Sequence, residues 1–379
     1  MGPLVPAARR GAILRKLLAW WNAGHRDLPW RFPQGTGDPY RVWVAEVILQ
    51  QTRVVTAIPY YRRFLWRFPS LADLAAASEE EVLELWSGLG YYARARRLHA
   101  AAREALARHG GLPASYGALL ALPGFGRYTA GAVASIAFAQ RTPCVDGNVV
   151  RVLSRLFLVE GRPRAVRERV WTLAGELVPR DLPGDFNQAL MELGETVCGK
   201  LPRCERCPVT RLCAALRAGR ERAIPAAPVP RARPRLEMAC AVVARRDSLL
   251  LARRPSGGLF GGLWELPSVV VGPEDDARCS LRDSLWQRFA FRVAPREELA
   301  TVERTLTHRE LRLVAYRCQA SVATLPQGAP LRMVRRDEMG ELALSSAMRA
   351  LLDELVPWCR ARGRLGSRDS LVRSPCRPR

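Results

Sequence analysis

A pair of glycines in the middle of the chain sits one residue apart in the stretch Leu-Pro-Gly-Phe-Gly-Arg-Tyr-Thr-Ala, residues 122–130. Gly124 and Gly126 permit a tight backbone turn and the close approach of another backbone. The pattern predicts a helix rich in small residues over 127–138, and free N–H groups at a helix start bind anions. This stretch therefore predicts a hairpin between two helices that grips a phosphate.

Two carboxylates are expected to lie in contrasting environments. Asp146, in Val-Asp-Gly-Asn, precedes an apolar-periodic helix, where the helix dipole stabilises its charge. Glu46 lies in an apolar helix beside Trp43 and Ile48; it either faces solvent, as Glu usually does, or points inward with a raised pKa. If Glu46 points inward, the two groups form an acid and an anion suited to cleaving a bond at an anomeric carbon.

The charge balance favours a polyanionic partner. The 379 residues carry 59 Lys and Arg against 36 Asp and Glu, a net charge of +23, which suits nucleic acid. A genome biased toward Arg codons would explain the choice of Arg over Lys, but it would not explain the net excess.

Membrane and export signals are missing from the sequence. No apolar run reaches the roughly 20 residues of a membrane helix, and residues 1–10 lack a signal-peptide core. We expect a cytoplasmic protein without a membrane partner, associated with the nucleoid if the source is bacterial.

The chain divides by pattern into two domains. Helical periodicity dominates residues 8–216, whereas a Pro- and Arg-rich linker occupies 217–236. Beyond it, residues 237–358 alternate as strands over 238–251 and 311–319, with helices over 281–289 and 346–358. This predicts an all-α domain followed by a smaller α+β domain. The basic tail, 359–379, lacks periodicity and is predicted to be disordered.

Four cysteines crowd together near the end of the helical domain. Five, two and five residues separate Cys198, Cys204, Cys207 and Cys213. Such crowding without an export signal favours a metal site over disulfides. Spacing alone leaves zinc and an iron–sulfur cluster both open.

Together these motifs resemble the helix–hairpin–helix base-excision DNA glycosylases, and specifically the MutY-type adenine glycosylases. The resemblance spans about residues 26–213, with a weaker match over 238–355. It implies a monomer that flips adenine out of double-stranded DNA, where adenine is mispaired with 8-oxoguanine or guanine, and hydrolyses its N-glycosidic bond. Glu46 would protonate adenine and later activate water, and Asp146 would stabilise the sugar cation or add to it covalently.

The resemblance also assigns further site residues. Tyr128 stands where strand-cutting relatives have a Lys nucleophile, which implies a monofunctional enzyme because Tyr cannot form an imine. Asn148 would hydrogen-bond near Asp146, or it would simply cap its helix. The DNA contacts would be Gly124, Gly126, Arg94, the inserting Gln51 and the wedge Tyr91. The adenine pocket would be lined by Arg26, Trp30, Leu49 and Glu192. Each of these residues also has an ordinary core or surface interpretation.

In the family the four cysteines hold a [4Fe–4S] cluster, although six residues usually separate the first two and here there are five. The segment Gly-Gly-Leu-Phe-Gly-Gly-Leu-Trp-Glu-Leu-Pro, 257–267, resembles the entry to a Nudix domain. No acidic cluster for Mg²⁺ follows it, so the domain is interpreted as a lesion reader. Thr307 and His308 match the family's reading loop, while Leu306 replaces its aromatic residue.

Three alternatives remain at this stage. An endonuclease-III-like glycosylase/lyase for oxidised pyrimidines is opposed by Tyr128 and by the presence of a C-terminal domain. A Nudix hydrolase is opposed by the missing acids. A catalytically inactive helix–hairpin–helix DNA-binding protein is opposed by the presence of both Glu46 and Asp146.

Overall fold

A computed structural model describes residues 4–31, 37–226, 232–320 and 328–355. The chain forms two compact units: the first comprises Met1–Ala77 and Arg96–Pro230, and the second comprises Ser78–Ala95 and Arg231–Arg379. A short segment of the helical half thus folds with the C-terminal half. The predicted tail, 359–379, and residues 227–231 of the predicted linker lie outside the described residues.

The N-terminal half is helical, as its periodicity predicts. Local signals set several helix boundaries: Asp38 caps the helix that begins at Pro39, and Asp146 caps the helix that begins at Gly147. The helices are α1 (Ala7–Ala23), α2 (Pro39–Leu49), α3 (Val54–Arg67), α4 (Leu71–Ala76), α5 (Glu79–Leu85), α6 (Ala93–His109), α7 (Tyr116–Leu120), α8 (Arg127–Ile136), α9 (Gly147–Phe157), α10 (Pro163–Leu177), α11 (Pro183–Thr196) and α12 (Ala214–Arg217).

One core cluster of the first unit joins α1, α9, α10 and α11. It buries apolar side chains from each helix, such as Leu17, Leu153, Val170 and Leu190. Burial of this apolar surface is the main force that holds the helices together. The packing fixes α9, which carries Asp146 at its start, against α11, which lines the site described below.

Among its described residues, the second unit contains two four-stranded sheets, which confirms the predicted α+β domain. The first sheet has the order β5-β1-β7-β6, with only β1 and β7 parallel; the second has β2-β3-β4, with β8 also paired to β3. The elements are β1 (Arg235–Val242), β2 (Ala244–Arg245), β3 (Ser248–Arg253), β4 (Trp264–Glu265), β5 (Ser268–Val271), α13 (Ala277–Phe289), β6 (Val293–Thr305), β7 (Glu310–Ala320), β8 (Leu331–Arg335) and α14 (Ser346–Glu354).

The alternation of side chains along β1 explains how both faces of its sheet are covered by helices. Alternate residues of β1 enter different clusters: Met238 and Cys240 pack with α14, whereas Ala239 and Ala241 pack with α13. Strand β1 begins at Arg235, so its first residues fall within the predicted linker.

Within the described part of the chain, no helix has both the length and the apolar character needed to span a bilayer.

Candidate active site

A cavity of about 810 Å³ opens in the first unit. Its wall is formed by the end of α2, the starts of α8 and α9, and one side of α11. Most of the predicted catalytic, pocket and hairpin residues line it: Arg26, Trp30, Glu46, Leu49, Gln51, Gly124, Gly126, Tyr128, Asp146, Asn148 and Glu192. The structure thus brings together residues that are up to 166 positions apart in the chain, as in the pair Arg26 and Glu192.

Glu46 points inward, which confirms the inward alternative of the sequence analysis. Its residue is only 6% exposed, and the Tyr128 hydroxyl donates a hydrogen bond to its Oε2 at 2.5 Å. Burial raises the pKa of Glu46 to about 7; the Tyr128 hydrogen bond opposes that shift, and the charge of Asp146 adds to it. A carboxyl with this pKa holds a proton close to neutral pH.

Asp146 occupies the N-cap of α9. Its Oδ1 accepts a hydrogen bond from the Val149 backbone N–H at 2.7 Å, and its Oδ2 accepts one from the Asn148 amide at 2.9 Å. Burial raises the pKa of Asp146, while these hydrogen bonds lower it. The sequence predicts that this carboxylate is ionised, and it does not reveal the burial that opposes the ionised form.

Arg151 is a site residue that sequence reasoning missed. It follows Asn148 by three positions on α9 and donates to the Asn148 Oδ1 at 2.7 Å. The same guanidinium donates to the carbonyl oxygens of Gly194 and Cys198, each at 2.8 Å. Three-residue spacing on a helix is the signal that could have found it. A chain of hydrogen bonds therefore runs from the cysteine loop through Arg151 and Asn148 to Asp146.

The charged residues of the predicted adenine pocket form a network of ion pairs. Arg26 donates two hydrogen bonds to the Glu192 carboxylate, each at 2.7 Å. Arg31, also missed by the sequence analysis, donates to the same carboxylate at 2.8 Å. Burial by itself would raise the pKa of Glu192, but the hydrogen bonds from both arginines bring it below its ordinary value. Trp30 is buried in edge contact with the ring of Tyr61, at 5.4 Å between centroids.

The two hairpin glycines have different roles. Gly124 has φ +76°, and a Cβ there would lie 2.7 Å from the Cβ of Arg97, so both conformation and space require glycine. Gly126 is the N-cap of α8 and makes no side-chain cap. A Cβ at Gly126 would meet open space. The first N–H groups of α8 are therefore left open to an anion, which agrees with the predicted hairpin.

The four crowded cysteines all line one cavity, together with apolar side chains such as Val197 and Leu216. All four are free thiols. Buried Arg155 donates to the Cys198 Sγ at 3.3 Å and to the carbonyl oxygens of Gly199 and Ile224 at 2.7 Å. Among the described residues, no group of three or more His, Cys, Asp or Glu is arranged to hold a metal ion. Four sulfur donors around one apolar cavity, beside a buried cation, fit an anionic cluster.

The remaining predicted residues lie in the second unit. Tyr91 is exposed, and its hydroxyl contacts the Thr307 hydroxyl in the turn between β6 and β7, where His308 is also exposed. Arg94, a predicted DNA contact, is half-buried, with its guanidinium over the rings of Trp86 and Tyr91 at 5.4 and 5.3 Å. Burial lowers the pKa of Arg94 to about 10. The structure therefore gives Arg94 a packing role that the sequence did not indicate.

The Nudix-like segment retains one buried acid, Glu265, and this acid is fully engaged. Arg254 donates to both of its oxygens, at 2.7 and 2.8 Å, and the Ser268 hydroxyl donates at 2.7 Å. Such a carboxylate is already neutralised and is poorly placed to bind Mg²⁺. This agrees with the missing acidic cluster in the sequence.

Known proteins match both halves of the chain. Residues 44–176 match the HhH-GPD superfamily of base excision DNA repair proteins, and residues 238–354 match the NUDIX domain. A solved thermostable thymine-DNA glycosylase is 30% identical, with a TM-score of 0.50 over 56% of this chain and 98% of that one.

Curated relatives extend over nearly the whole length. The adenine DNA glycosylase of Rattus norvegicus is 38% identical, covering 89% of this chain and 77% of the rat protein. That of Homo sapiens is 37% identical, covering 96% of this chain and 78% of the human protein. These relatives favour the adenine glycosylases over the endonuclease-III-like alternative. The chain belongs to the adenine DNA glycosylase family of base excision repair.

Proposed function

We propose that this protein removes adenine paired with 8-oxoguanine or guanine from double-stranded DNA, and that it does so without cutting the strand. The observation that carries the proposal is the buried Glu46, hydrogen-bonded to Tyr128, in the same cavity as Asp146. A proton donor and an anion face one space there, as cleavage through an oxocarbenium-like state requires.

Glu46 supplies the proton that makes adenine a leaving group. With its pKa at about 7, the carboxyl is largely protonated in weakly acidic solution and about half protonated at neutral pH, so it can donate a proton. After adenine leaves, the resulting carboxylate accepts a proton from the attacking water. Asp146 provides the negative charge that the sugar cation needs, and Asn148 and the start of α9 hold that carboxylate in place.

The adenine edge is recognised by the paired charges of Glu192 and the two arginines that line the cavity. The Glu192 carboxylate accepts from Arg26 and Arg31, so its remaining lone pairs point in defined directions. Trp30 and Leu49 supply the apolar wall that stacks on a flipped base. The open start of α8 at Gly126 binds a phosphate of the same strand, and Gln51 enters the duplex beside the lesion.

The cysteine loop holds a [4Fe–4S] cluster through Cys198, Cys204, Cys207 and Cys213. The role of the cluster would be structural: it would tie the four cysteines together, and the basic residues of the loop would then contact DNA phosphates. Arg155 stabilises the loop by donating to the Cys198 sulfur and to neighbouring carbonyl oxygens. Zinc is the competing occupant, because four thiolates also suit that ion.

The second unit reads the strand opposite adenine. The turn with Thr307 and His308 offers a hydroxyl and an imidazole to the edge of 8-oxoguanine, and Tyr91 beside it acts as the wedge. Each such hydrogen bond discriminates between bases by about 1–3 kcal/mol. We expect no Nudix reaction from this domain, because no acidic cluster for Mg²⁺ follows residues 257–267.

A base-release assay tests the proposal directly. Single-turnover reactions would compare duplexes with adenine opposite 8-oxoguanine, adenine opposite guanine, and an oxidised pyrimidine opposite guanine. We expect adenine release from the first two, strand breaks only after alkali, and no DNA complex trapped by borohydride. A Tyr128→Lys variant, which has an amine, should gain some trapping. Release of the oxidised pyrimidine with immediate strand cleavage would instead support the endonuclease-III-like alternative.

A further inference from the structure

The turn that carries Tyr91 adopts an unusual backbone conformation. Gly88, Gly90 and Tyr91 have φ values of 97°, 71° and 50°. Glycine adopts the left-handed region freely, but a residue with a Cβ occupies it at a cost. Such conformations persist only where the surroundings hold them. The contacts around this turn therefore explain how its conformation is maintained.

The hydroxyl group of Tyr92 joins this turn to the β-sheet domain. The side chain is buried, with the residue 5% exposed. Its oxygen accepts a hydrogen bond from the Gly88 backbone N–H at 3.3 Å and donates one to the Leu344 carbonyl at 2.8 Å. The residue that follows Tyr91 thus closes the turn and also anchors it.

The acceptor of this hydrogen bond belongs to well-fixed backbone. Leu344 pairs with Trp264 of β4 in a parallel bridge, and the Trp264 N–H donates to the Ala343 carbonyl at 2.9 Å. The Leu344 carbonyl also accepts from the Ser87 hydroxyl at 3.1 Å. The anchor point is therefore backbone that is itself bridged to β4.

A second attachment lies near the start of the segment Ser78–Ala95, which also carries Tyr91 and Tyr92. The Glu80 carboxylate accepts from the Trp264 indole N–H at 3.0 Å and from Arg253 at 3.3 Å. Trp264 thus supports both ends of the segment, through its side chain at Glu80 and through its backbone at Leu344. Two separated attachments restrict rotation as well as translation of the segment between them.

We propose that Tyr92 is a positioning residue: its hydroxyl fixes the Tyr91 ring on the unit that also carries Thr307 and His308. Tyr91, which enters the duplex, and Thr307 and His308, which read the opposite base, are then held by the same structural unit. This inference rests on the proposed function for the roles of Tyr91 and of the reading turn.

Amide hydrogen exchange in the full-length protein tests the anchor without any DNA. Loss of one buried hydrogen bond in Tyr92→Phe should speed exchange of the Gly88 amide about five- to tenfold. The matched control is Tyr40→Phe, since the Tyr40 hydroxyl is likewise buried and donates to the Phe68 carbonyl at 2.8 Å. That control should leave the Gly88 amide unchanged. Unaltered Gly88 exchange in Tyr92→Phe would overturn the anchor.

A fluorescent duplex tests the positioning of Tyr91. The duplex would carry an uncleavable adenine analogue, with 2-aminopurine next to the base opposite that analogue. Wild-type protein should unstack the 2-aminopurine and so raise its fluorescence, whereas Tyr91→Ala should not. We expect Tyr92→Phe to lose most of this rise while its remaining excision keeps the wild-type pH profile, because Glu46 is untouched. A full fluorescence rise in Tyr92→Phe, or a displaced pH profile, would refute the positioning role.

Failure of the two proposals can be told apart. If wild type releases no adenine, the proposed function is wrong, whereas the hydrogen-exchange experiment, which uses no DNA, still decides on the anchor. If wild type releases adenine and Tyr92→Phe behaves as wild type in both experiments, only the positioning role is wrong.

Discussion

At the level of single residues, the Tyr128–Glu46 hydrogen bond combines two properties that the proposed reaction needs. Tyrosine has no amine, so it cannot begin strand cleavage through an imine. Burial meanwhile keeps a proton on Glu46 up to a pH of about 7. One contact between α2 and α8 therefore bears on both the choice of reaction and its proton supply.

Replacing Glu46 with Gln should abolish excision and change how stability depends on pH. Excision should fall at least about a hundredfold, because the general acid is lost. The pKa of Glu46 in the folded protein lies above the ordinary value of a Glu carboxyl, so the native state binds the proton more tightly and wild-type stability falls as pH rises toward 7. Glu46→Gln escapes that loss, so its stability relative to wild type should rise by about 2 kcal/mol between about pH 5 and pH 8.

Denaturant unfolding at the two pH values measures this difference. Glu168→Gln is a suitable control because Glu168 is 57% exposed in its ion pair with Arg127. A parallel pH dependence in wild type and Glu46→Gln would show that Glu46 is not protonated in the folded protein.

The rate of excision should itself fall as pH rises through about 7. Glu46 acts as an acid in its protonated form, and this form is depleted above its pKa. Single-turnover rates with adenine opposite 8-oxoguanine provide the measurement. A rate that keeps rising through this range would argue that another group donates the proton.

Asp146→Asn should lose excision about a thousandfold or more while still binding duplex DNA, because the charge opposite the sugar cation is gone. The hydrogen bond from the Val149 N–H can still form to the amide oxygen, so α9 keeps its cap. Asp181→Asn, which changes an exposed acid, is the control. Near-wild-type single-turnover excision by Asp146→Asn would remove this residue from the mechanism.

The sequence predicted Glu46, Asp146 and the hydrogen bond between Asn148 and Asp146, but it did not predict the roles of Arg31 and Arg151. The apolar neighbours of Glu46 on its helix allowed an inward side chain but left the solvent-facing alternative open. Arg31 and Arg151 escaped notice because their meaning depends on long-range contacts with Glu192 and Cys198. In an Arg-rich chain, the sequence does not indicate which arginine belongs to the site, because that depends on the hydrogen-bond acceptor that each one reaches.

At the level of elements, α9 connects two parts of the first unit. Its cap is Asp146, and its Arg151 and Arg155 reach the cysteine loop at Cys198. Helix boundaries were predictable because Asp, Pro and Gly mark them in the sequence. The placement of α5 was not: its helical periodicity resembles that of its neighbours, and nothing local indicates that it folds with the second unit.

The cysteine loop should carry iron and sulfide. Purified protein should show both, and Arg155→Gln should retain less of them, because the Cys198 sulfur loses a buried charged donor. Arg211→Gln, at an exposed position in the same loop, is the control. Metal analysis after anaerobic purification is the measurement. Zinc without iron would exclude the cluster but leave a metal site in place.

At the level of the whole molecule, the charge of +23 predicts strongly salt-dependent binding. Each phosphate contact releases counterions, so affinity for duplex DNA should fall about a thousandfold or more from about 50 to 200 mM salt if six or more phosphates are neutralised. Binding by Asp146→Asn, which should not turn over, gives the measurement. A weak salt dependence would indicate that the positive charge is not used on the DNA backbone.

The discontinuous second unit has a consequence for how the protein is made. Residues 78–95 leave the ribosome about 140 residues before the β-sheet domain begins to appear, a delay of roughly ten to thirty seconds at typical rates of synthesis. During that interval the final acceptor of Ser87 and Tyr92, and the donors to Glu80, have not yet been translated. In the nascent N-terminal half, the turn around Tyr91 therefore lacks its anchor. Because the chain is made from the N-terminus, this turn acquires its final contacts only after the β-sheet domain has been synthesised.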